Sequence, residues 1–226
     1  MDASSSPDRP VPRVVITVAV AFAAIAFFWA FPLFRIVPLK GVAANTAIPA
    51  AGGVFEPAAM AAKLWSGALR EAAGRAADAG VVAEAIRADP MDARRTHARS
   101  VGMGAAYYFV RGSGRVIARD RNAIRLALDG PQPAIVTLRI GPIFGNAVRD
   151  GSGLVDVNQV PGLEEFNALA SELNKLVESE VLPVLREKAD VGSVVTFAGC
   201  AEAPESAATG DAPLLVLIPV MAEVRG

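Results

Sequence analysis

The chain has 226 residues, and 22 lysines and arginines against 23 aspartates and glutamates give it a formal net charge of −1 at pH 7. A chain so close to neutral has no overall field with which to collect nucleic acid or acidic lipid, so we expect no nucleic-acid partner. The single cysteine, Cys200, excludes an intramolecular disulfide and a cysteine-based zinc cluster. We interpret it as an ordinary buried thiol and expect no metal or cofactor.

The first predicted element is a membrane anchor. The run Val14–Phe34 contains no charged residue and has an arginine at each end. As a helix it would be about 31 Å long, which is the thickness of the hydrocarbon core of a bilayer. A cleaved signal peptide is the alternative, but the run is longer than a usual signal-peptide core and has no small-residue cleavage site at its edge. We therefore expect an uncleaved, single-pass signal anchor over residues 13–37 of a bacterial inner-membrane protein.

The segments on either side of the anchor predict its orientation. Residues 1–12 contain too little apolar surface to fold, which predicts a disordered tail. A short N-terminal tail normally stays in the cytoplasm. Residues 38–54 are rich in glycine, alanine and proline and predict a linker. The bulk of the chain then lies in the periplasm.

Residues 55–102 form a predicted helical segment. Pro57 suits the first position of a helix, and the apolar residues after it recur at intervals of three and four. This predicted helical face consists of Ala61, Leu64, Trp65, Ala68, Leu69, Ala72 and Ala76. Asp89 and Pro90 repeat the start signal and predict a second helix that runs to about Ser100. His97 falls in that helix without a second candidate ligand nearby, so we interpret it as a surface or packing residue.

From residue 103 to residue 226 the pattern changes to strands. Alternating apolar residues predict a strand from Ala106 that bends at Gly112–Gly114, then strands over Asn122–Leu128, Ala134–Ile140, Ser193–Cys200 and Leu214–Val224. A helix is predicted from Leu163, which Pro183 must kink or end. The glycine-rich residues 141–162 are predicted as a long irregular connection.

The order strand, strand, strand, helix, strand, strand is that of an OB-fold, a small five-stranded barrel with a helix between its third and fourth strands. We therefore predict an α+β protein with a single N-terminal transmembrane helix, a helical arm and an OB-fold-like β-barrel of order β-β-β-α-β-β. The pattern alone also fits other α+β arrangements.

Several short motifs resemble the DUF2291 family of predicted periplasmic lipoproteins. They are Phe31–Phe34, Phe55–Pro57, Leu64–Trp65, Gly112–Val116, Leu138–Pro142, Ala147–Asp150, Leu173–Asn174, Val195–Gly199 and Ile218–Val220. The family has no established activity that the resemblance could imply for this chain. It suggests a context beside sugar-type ABC transporters. A lipoprotein of this kind needs a cysteine just after the apolar run, and this chain has none there, so we expect the helix to be the anchor instead of a lipid.

The predicted ligand-binding residues border the glycine-rich connection. They are Arg139, Gly141, Asn146, Arg149 and Asp150. Arginine presents a planar fork of donors, and backbone amides of such a loop can bind a carboxylate or phosphate. The alternative is that Arg149 and Asp150 pair with each other, or with loop carbonyls, and fix the loop.

Other motifs give weaker evidence for a function. Gly112-Ser113-Gly114 is followed by strand and by no Lys-Ser/Thr pair, so it is not a phosphate-binding loop. Tyr107, Tyr108 and Phe109 could stack on bases, but alternation places at least one of these rings in the core. No Ser, His and Asp constellation is evident, so we expect no catalytic residue and no enzyme.

Two functions remain. The first is a membrane-anchored periplasmic accessory protein that contacts an envelope protein, such as a subunit of a sugar transporter. The alternative is a module that binds a small ligand or glycan through residues 139–150. A pocket with apolar walls that contains Arg139 or Arg149 would favour the module, and an exposed apolar patch on the alanine-rich helices would favour the accessory protein.

Overall fold

The structure is a computed structural model, and it describes residues 55–102, 104–130, 134–203 and 214–226. The predicted tail, anchor and linker, at residues 1–12, 13–37 and 38–54, lie outside these residues.

The first predicted helix is confirmed from Pro57 onwards. It consists of α1 (Pro57–Leu64), a π-helical turn (Trp65–Leu69) and α2 (Arg70–Gly74). Its buried face includes Ala61, Trp65 and Leu69, as the periodicity predicts.

A short strand and two further helices follow: β1 (Ala77–Asp78), α3 (Ala79–Ala88) and α4 (Pro90–His97). Aspartate side chains, from Asp78 and Asp89, cap α3 and α4 by accepting hydrogen bonds from backbone N–H groups in the first turn. The sequence did not predict α3. The second predicted helix ends at His97 and not near Ser100, because β2 (Arg99–Val101) pairs with the next strand instead.

Five strands form a closed circuit of pairings. They are β3 (Ala105–Arg119), β4 (Ala123–Leu128), β5 (Ile135–Arg139), β6 (Val194–Glu202) and β7 (Leu215–Arg225). β3 pairs with β4, β4 with β5, β5 with β7 in parallel, β7 with β6, and β6 again with β3. β1 and β2 add to β3 outside this circuit.

The first long strand passes from one pairing partner to the other at Gly114. Residue Gly114 pairs with Leu128 of β4 and also with Val195 of β6, so β3 serves both neighbours at this point. A Cβ atom at Gly114 would lie 2.6 Å from the Ala127 carbonyl oxygen, which leaves no room for a side chain. A bulge between Val116 and Ala118 follows. The predicted irregularity of this strand is therefore present, but its bulge lies after the glycines and not at Gly112–Gly114.

The connection over residues 141–162 is less irregular than predicted. It contains the short helix α5 (Ala147–Ser152) and a 3₁₀ turn (Val157–Gln159), which the sequence did not predict. A six-residue helix with Gly151 in it has too few apolar positions for a period to show.

The long predicted helix begins at Leu163. It consists of α6 (Leu163–Leu176), a π-helical turn (Val177–Val181) and α7 (Leu182–Lys188). The wide turn just before Pro183 lets the chain continue as a helix, because proline lacks the N–H group and crowds the carbonyl of the preceding turn.

One core holds the helices and the strand circuit together. Trp65 and Ile86 from the first helices belong to the same buried cluster as Tyr108 and Leu126 from the strands and Leu169 from α6. The burial of Tyr108 confirms that one aromatic ring of Tyr107–Phe109 lies in the core.

Candidate functional site

A concave groove lies at one end of the strand circuit, and Arg139 lines it. Its other walls are Tyr107 of β3, residues 144–147 before and at the start of α5, the end of β6 over residues 200–202, and the start of β7. Its volume is about 460 Å³. We call it the Arg139 groove.

The groove lies where β6 and β7 diverge. The pairing between these two strands ends at Cys200 and Ile218, although β6 continues to Glu202 and β7 begins at Leu215. The start of β7 pairs instead with β5, and the end of β6 stays with β3. The two strands therefore form a fork.

Apolar and polar side chains alternate around the fork. Phe144 is 73% exposed and Val216 is 46% exposed, so the groove presents two large apolar side chains to solvent. Arg139 and Asn146 are also exposed, and neither side chain has a hydrogen-bond partner among the described residues. The groove thus offers two apolar contacts, together with the guanidinium of Arg139 and the carboxamide of Asn146, which make no hydrogen bond among the described residues.

Arg149 and Asp150 lie outside the groove wall, in the interior. Arg149 is 4% exposed and Asp150 is 7% exposed. The guanidinium donates from Nε to Asp150 Oδ1 at 2.7 Å and from Nη2 to Asp150 Oδ2 at 3.1 Å. It also donates from Nη1 to the Phe166 carbonyl at 2.9 Å and lies 3.5 Å from the centre of the Phe166 ring.

This ion pair joins α5 to the first turn of α6. Every oxygen of the Asp150 carboxylate accepts a bond from Arg149, and Arg149 donates a further bond to the Asn167 side chain. The arrangement is the alternative that the sequence left open, in which the two residues pair and fix the loop.

Two more side chains of the α6 region hold the turn that carries Phe144. Asn174 donates from Nδ2 to the Gly145 carbonyl at 2.9 Å. Glu178 Oε1 accepts from the Ile143 backbone N–H at 2.7 Å. The backbone on both sides of Phe144 is thereby bound to α6 and to the π-helical turn that follows it, which positions the segment that carries this ring.

Helix α5 lies very close to the strands beneath it. A Cβ atom on Gly151 would be 3.0 Å from Cys200 Cβ and 3.3 Å from Tyr107 Cβ. Only glycine lets the helix approach the sheet this closely. Burial raises the pKa of the Cys200 thiol, so this residue is an inert packing group, as the sequence predicts.

Tyr107 stands between the ion pair and the groove. Partial burial, followed by the carboxylates of Asp150 and Glu202, raises the pKa of the Tyr107 hydroxyl, while Arg149 opposes this shift. The hydroxyl therefore remains a neutral hydrogen-bonding group at physiological pH.

The predicted site residues separate into two groups. Arg139 and Asn146 line the groove. Gly141 is buried elsewhere, where its N–H donates to the Asn122 carbonyl at 3.0 Å, and Arg149 and Asp150 are internal. Phe144 was not among the predicted residues, although a lone aromatic residue inside a glycine-rich connection is a signal in the sequence.

Glu202 and Val216 were also missed, because only the pairing of distant strands brings them beside Arg139. Within the described ranges there is no group of three histidine, cysteine, aspartate or glutamate residues that could hold a metal ion.

Comparison with known proteins identifies the family. A family model described as "Predicted periplasmic lipoprotein (DUF2291)" matches residues 23–223. The chain belongs to the DUF2291 family. No curated protein matches it.

A solved structure supports the fold of this DUF2291 protein. An OB-fold protein from Thermotoga maritima is 24% identical to it, with a TM-score of 0.65, and the similarity covers 76% of this chain and 100% of the other. The similarity shows an α+β protein of the OB-fold type. Among the described residues, no helix is both long and apolar enough to span a bilayer. The predicted transmembrane anchor lies outside those residues.

Proposed function

We propose that this DUF2291 protein is a membrane-anchored, non-enzymatic accessory protein of the bacterial periplasm that binds a partner protein through the Arg139 groove. The observation that carries the proposal is the groove itself, whose lining mixes polar and apolar residues and so lacks the apolar walls expected of a small-ligand pocket. Its exposed Phe144 and Val216 offer apolar anchors, and Arg139 and Asn146 are ready to make new hydrogen bonds. We further infer that the closed circuit of strand pairings is a small OB-fold barrel, on which this groove lies.

The anchor in the proposal rests on the uncharged run Val14–Phe34, and the description of the family as periplasmic lipoproteins supports a location in the envelope. Lipid attachment needs an accessible cysteine near the start of a mature protein, and Cys200 is instead fully buried in β6. The apolar run is therefore the better candidate for the anchor of this chain.

The proposed partner is a subunit of a sugar-type ABC transporter, which the family resemblance suggests. To test this, a photo-crosslinking amino acid is placed at position 144 of the full-length chain in its native host. A matched chain carries it at position 163, where Leu163 is 69% exposed but lies outside the groove lining. We expect a transporter subunit to be crosslinked from position 144 only.

Equal capture from positions 144 and 163 would mean that the groove does not select the partner. Capture from 163 alone would transfer the proposed interface to the surface around the start of α6.

The second candidate is the binding of a small ligand or glycan in the same groove. The observation that favours it is the set of polar groups around Tyr107, with Arg139 and Asn146 exposed beside an aromatic ring. A panel of soluble sugars and sugar phosphates tests it by thermal shift. A ligand of this site would raise the melting temperature of the wild type and lose its effect on Arg139→Ala.

A further inference from the structure

Among the described residues, the fork between β6 and β7 leaves strand edges without a pairing partner on the groove side. Residues Leu215–Leu217 pair with β5 on one edge. Residues 201–202 pair with β3 on one edge. Across the groove the described residues contain no pairing beyond Cys200 and Ile218, so the opposite edges of both segments face the groove.

Such edges have a specific chemistry. A strand presents backbone N–H and C=O groups alternately to its two sides, and groups that are not paired within the sheet must bond water or another chain. An extended peptide offers the complementary row of groups at the same spacing, and binding by added strands uses this match. A glycan has hydroxyl groups but no such regular row.

The side chains around the fork suit the same occupant. Phe144 and Val216 flank the edge with apolar surface that an alternating peptide could cover with its own apolar residues. Arg139 ends β5 beside the paired segment of β7, and its guanidinium has no partner among the described residues. It would pair with one carboxylate of the bound peptide.

We propose that the Arg139 groove binds an extended segment of the partner protein as an additional β-strand along the start of β7. The segment alternates apolar residues, which contact Phe144 and Val216, and carries an acidic residue for Arg139. The inference deepens the proposed function and rests on it, since it states how the partner is recognised.

The first experiment uses a displayed library of random heptapeptides as the probe. The library is selected on the full-length protein in detergent, with counter-selection on the double variant Arg139→Ala, Phe144→Ala. Both side chains are exposed and make no hydrogen bond within the described structure, so the double variant should fold normally. Leu163→Ala is the matched control, because Leu163 is comparably exposed outside the groove lining.

We expect enriched peptides with alternating apolar residues and an acidic residue. They should bind the wild type and the Leu163→Ala variant equally and the double variant at least 10-fold more weakly. Failure to enrich any peptide against the double variant would overturn the inference.

The second experiment separates strand addition from side-chain recognition. The best peptide is synthesised with N-methyl groups on alternate amides, in each of the two possible registers. An added strand donates alternate N–H groups to the edge beside it. The peptide methylated on those amides should bind at least 10-fold more weakly than the parent peptide, and the peptide methylated on the other amides should bind nearly as the parent does. Equal binding of both methylated peptides would exclude pairing along β7.

The two proposals can fail separately. If position 144 crosslinks a transporter subunit but the methylated peptides bind equally, the partner uses the groove without adding a strand. If enriched peptides behave as expected but no envelope protein is crosslinked at position 144, strand addition stands and the assigned partner is wrong.

Discussion

Arg149 is a buried cation whose guanidinium has hydrogen-bond partners and an aromatic contact. Its guanidinium bonds both oxygens of Asp150 and the carbonyl of Phe166, and its flat face lies on the Phe166 ring. A group satisfied in this way has little left to offer a ligand. Its contribution is to fix α5 and, through α5, the wall of the Arg139 groove.

The substitution Arg149→Ala tests this structural role. It leaves the Asp150 carboxylate buried without its cation, and breaking a buried pair from one side typically costs about 3–5 kcal/mol. We expect urea denaturation to show a large loss in the free energy of unfolding. Arg95→Ala is the matched control, because Arg95 makes an ion pair with Asp92 at the surface and should leave the unfolding midpoint unchanged. If the two variants had the same midpoint, Arg149 would not be a structural residue.

Gly151 is the second residue on which the groove wall depends. Gly151→Ala would bring a methyl group to 3.0 Å from Cys200 Cβ and 3.1 Å from Cys200 Sγ, so α5 or Cys200 must shift by a few tenths of an ångström. Overpacking of this kind costs about 1–3 kcal/mol. Gly67→Ala is the control, because its Cβ would meet nothing within 4 Å and alanine favours the helix by up to about 1 kcal/mol. The melting temperature should therefore fall for Gly151→Ala and rise for Gly67→Ala. A higher melting temperature for Gly151→Ala would mean that the helix tolerates displacement.

The candidate site could be predicted only in part at this scale. The sequence identified Arg139 and Asn146 because they border a glycine-rich connection. It could not decide whether Arg149 faces a ligand or Asp150, because the answer depends on the approach of α5 to β3 and β6. That approach is set by Gly151 and Cys200, which are 49 positions apart.

At the scale of elements, two helices meet through their π-helical turns. Trp65 begins one turn, and its Nε1 donates at 2.7 Å to Oε2 of Glu180 in the other. The indole is 5% exposed, so this bond satisfies a buried donor. The contact joins the helix that begins at Pro57 to the helix that precedes β6.

Glu180→Ala tests this contact without opening a cavity, because the glutamate side chain is exposed. It leaves the buried indole N–H without an acceptor, which costs about 1–3 kcal/mol. Glu187→Ala is the matched control, since Glu187 is exposed on α7 and has no hydrogen-bond partner among the described residues. We expect a lower urea midpoint, with a shift in tryptophan emission before global unfolding, for Glu180→Ala alone. Identical curves for both variants would show that the helices are held by apolar packing only.

The elements differ in how far sequence could predict them. The strands of the circuit alternate clearly, as in Ile124, Leu126 and Leu128, and were found nearly to the residue. Helix α3 was missed because Ala79, Val82 and Ala83 give a weak stripe that Gly80 weakens further. β1 and β2 were missed because each is only two or three residues long and exists through its pairing with β3.

At the scale of the molecule, the strand circuit explains why the groove is where it is. The start of β7 pairs in parallel with β5 and not with β6. The fork between β6 and β7 follows from this change of pairing partner. Sequence reading predicted the order of the strands, but the parallel pairing joins segments that have the whole of α5, α6, α7 and β6 between them. A groove formed by such a pairing has no local signal.

The proposed anchor gives a prediction for the whole chain. The run Val14–Phe34 is long enough to span a bilayer, at about 31 Å as a helix. Cys200 is buried and unsuited to carry a lipid. We therefore expect the full-length protein to stay in the membrane pellet after an alkaline carbonate wash, and Cys200→Ala to stay there as well.

Deletion of residues 14–34 should release the protein into the soluble fraction. An alkaline phosphatase fused after Gly226 of the intact chain should be active, because this enzyme matures only in the periplasm. If the deleted chain remained in the pellet, the folded part would hold the membrane by its own contacts. An inactive fusion on an intact, membrane-bound chain would place the Arg139 groove on the cytoplasmic side, where a periplasmic partner could not reach it.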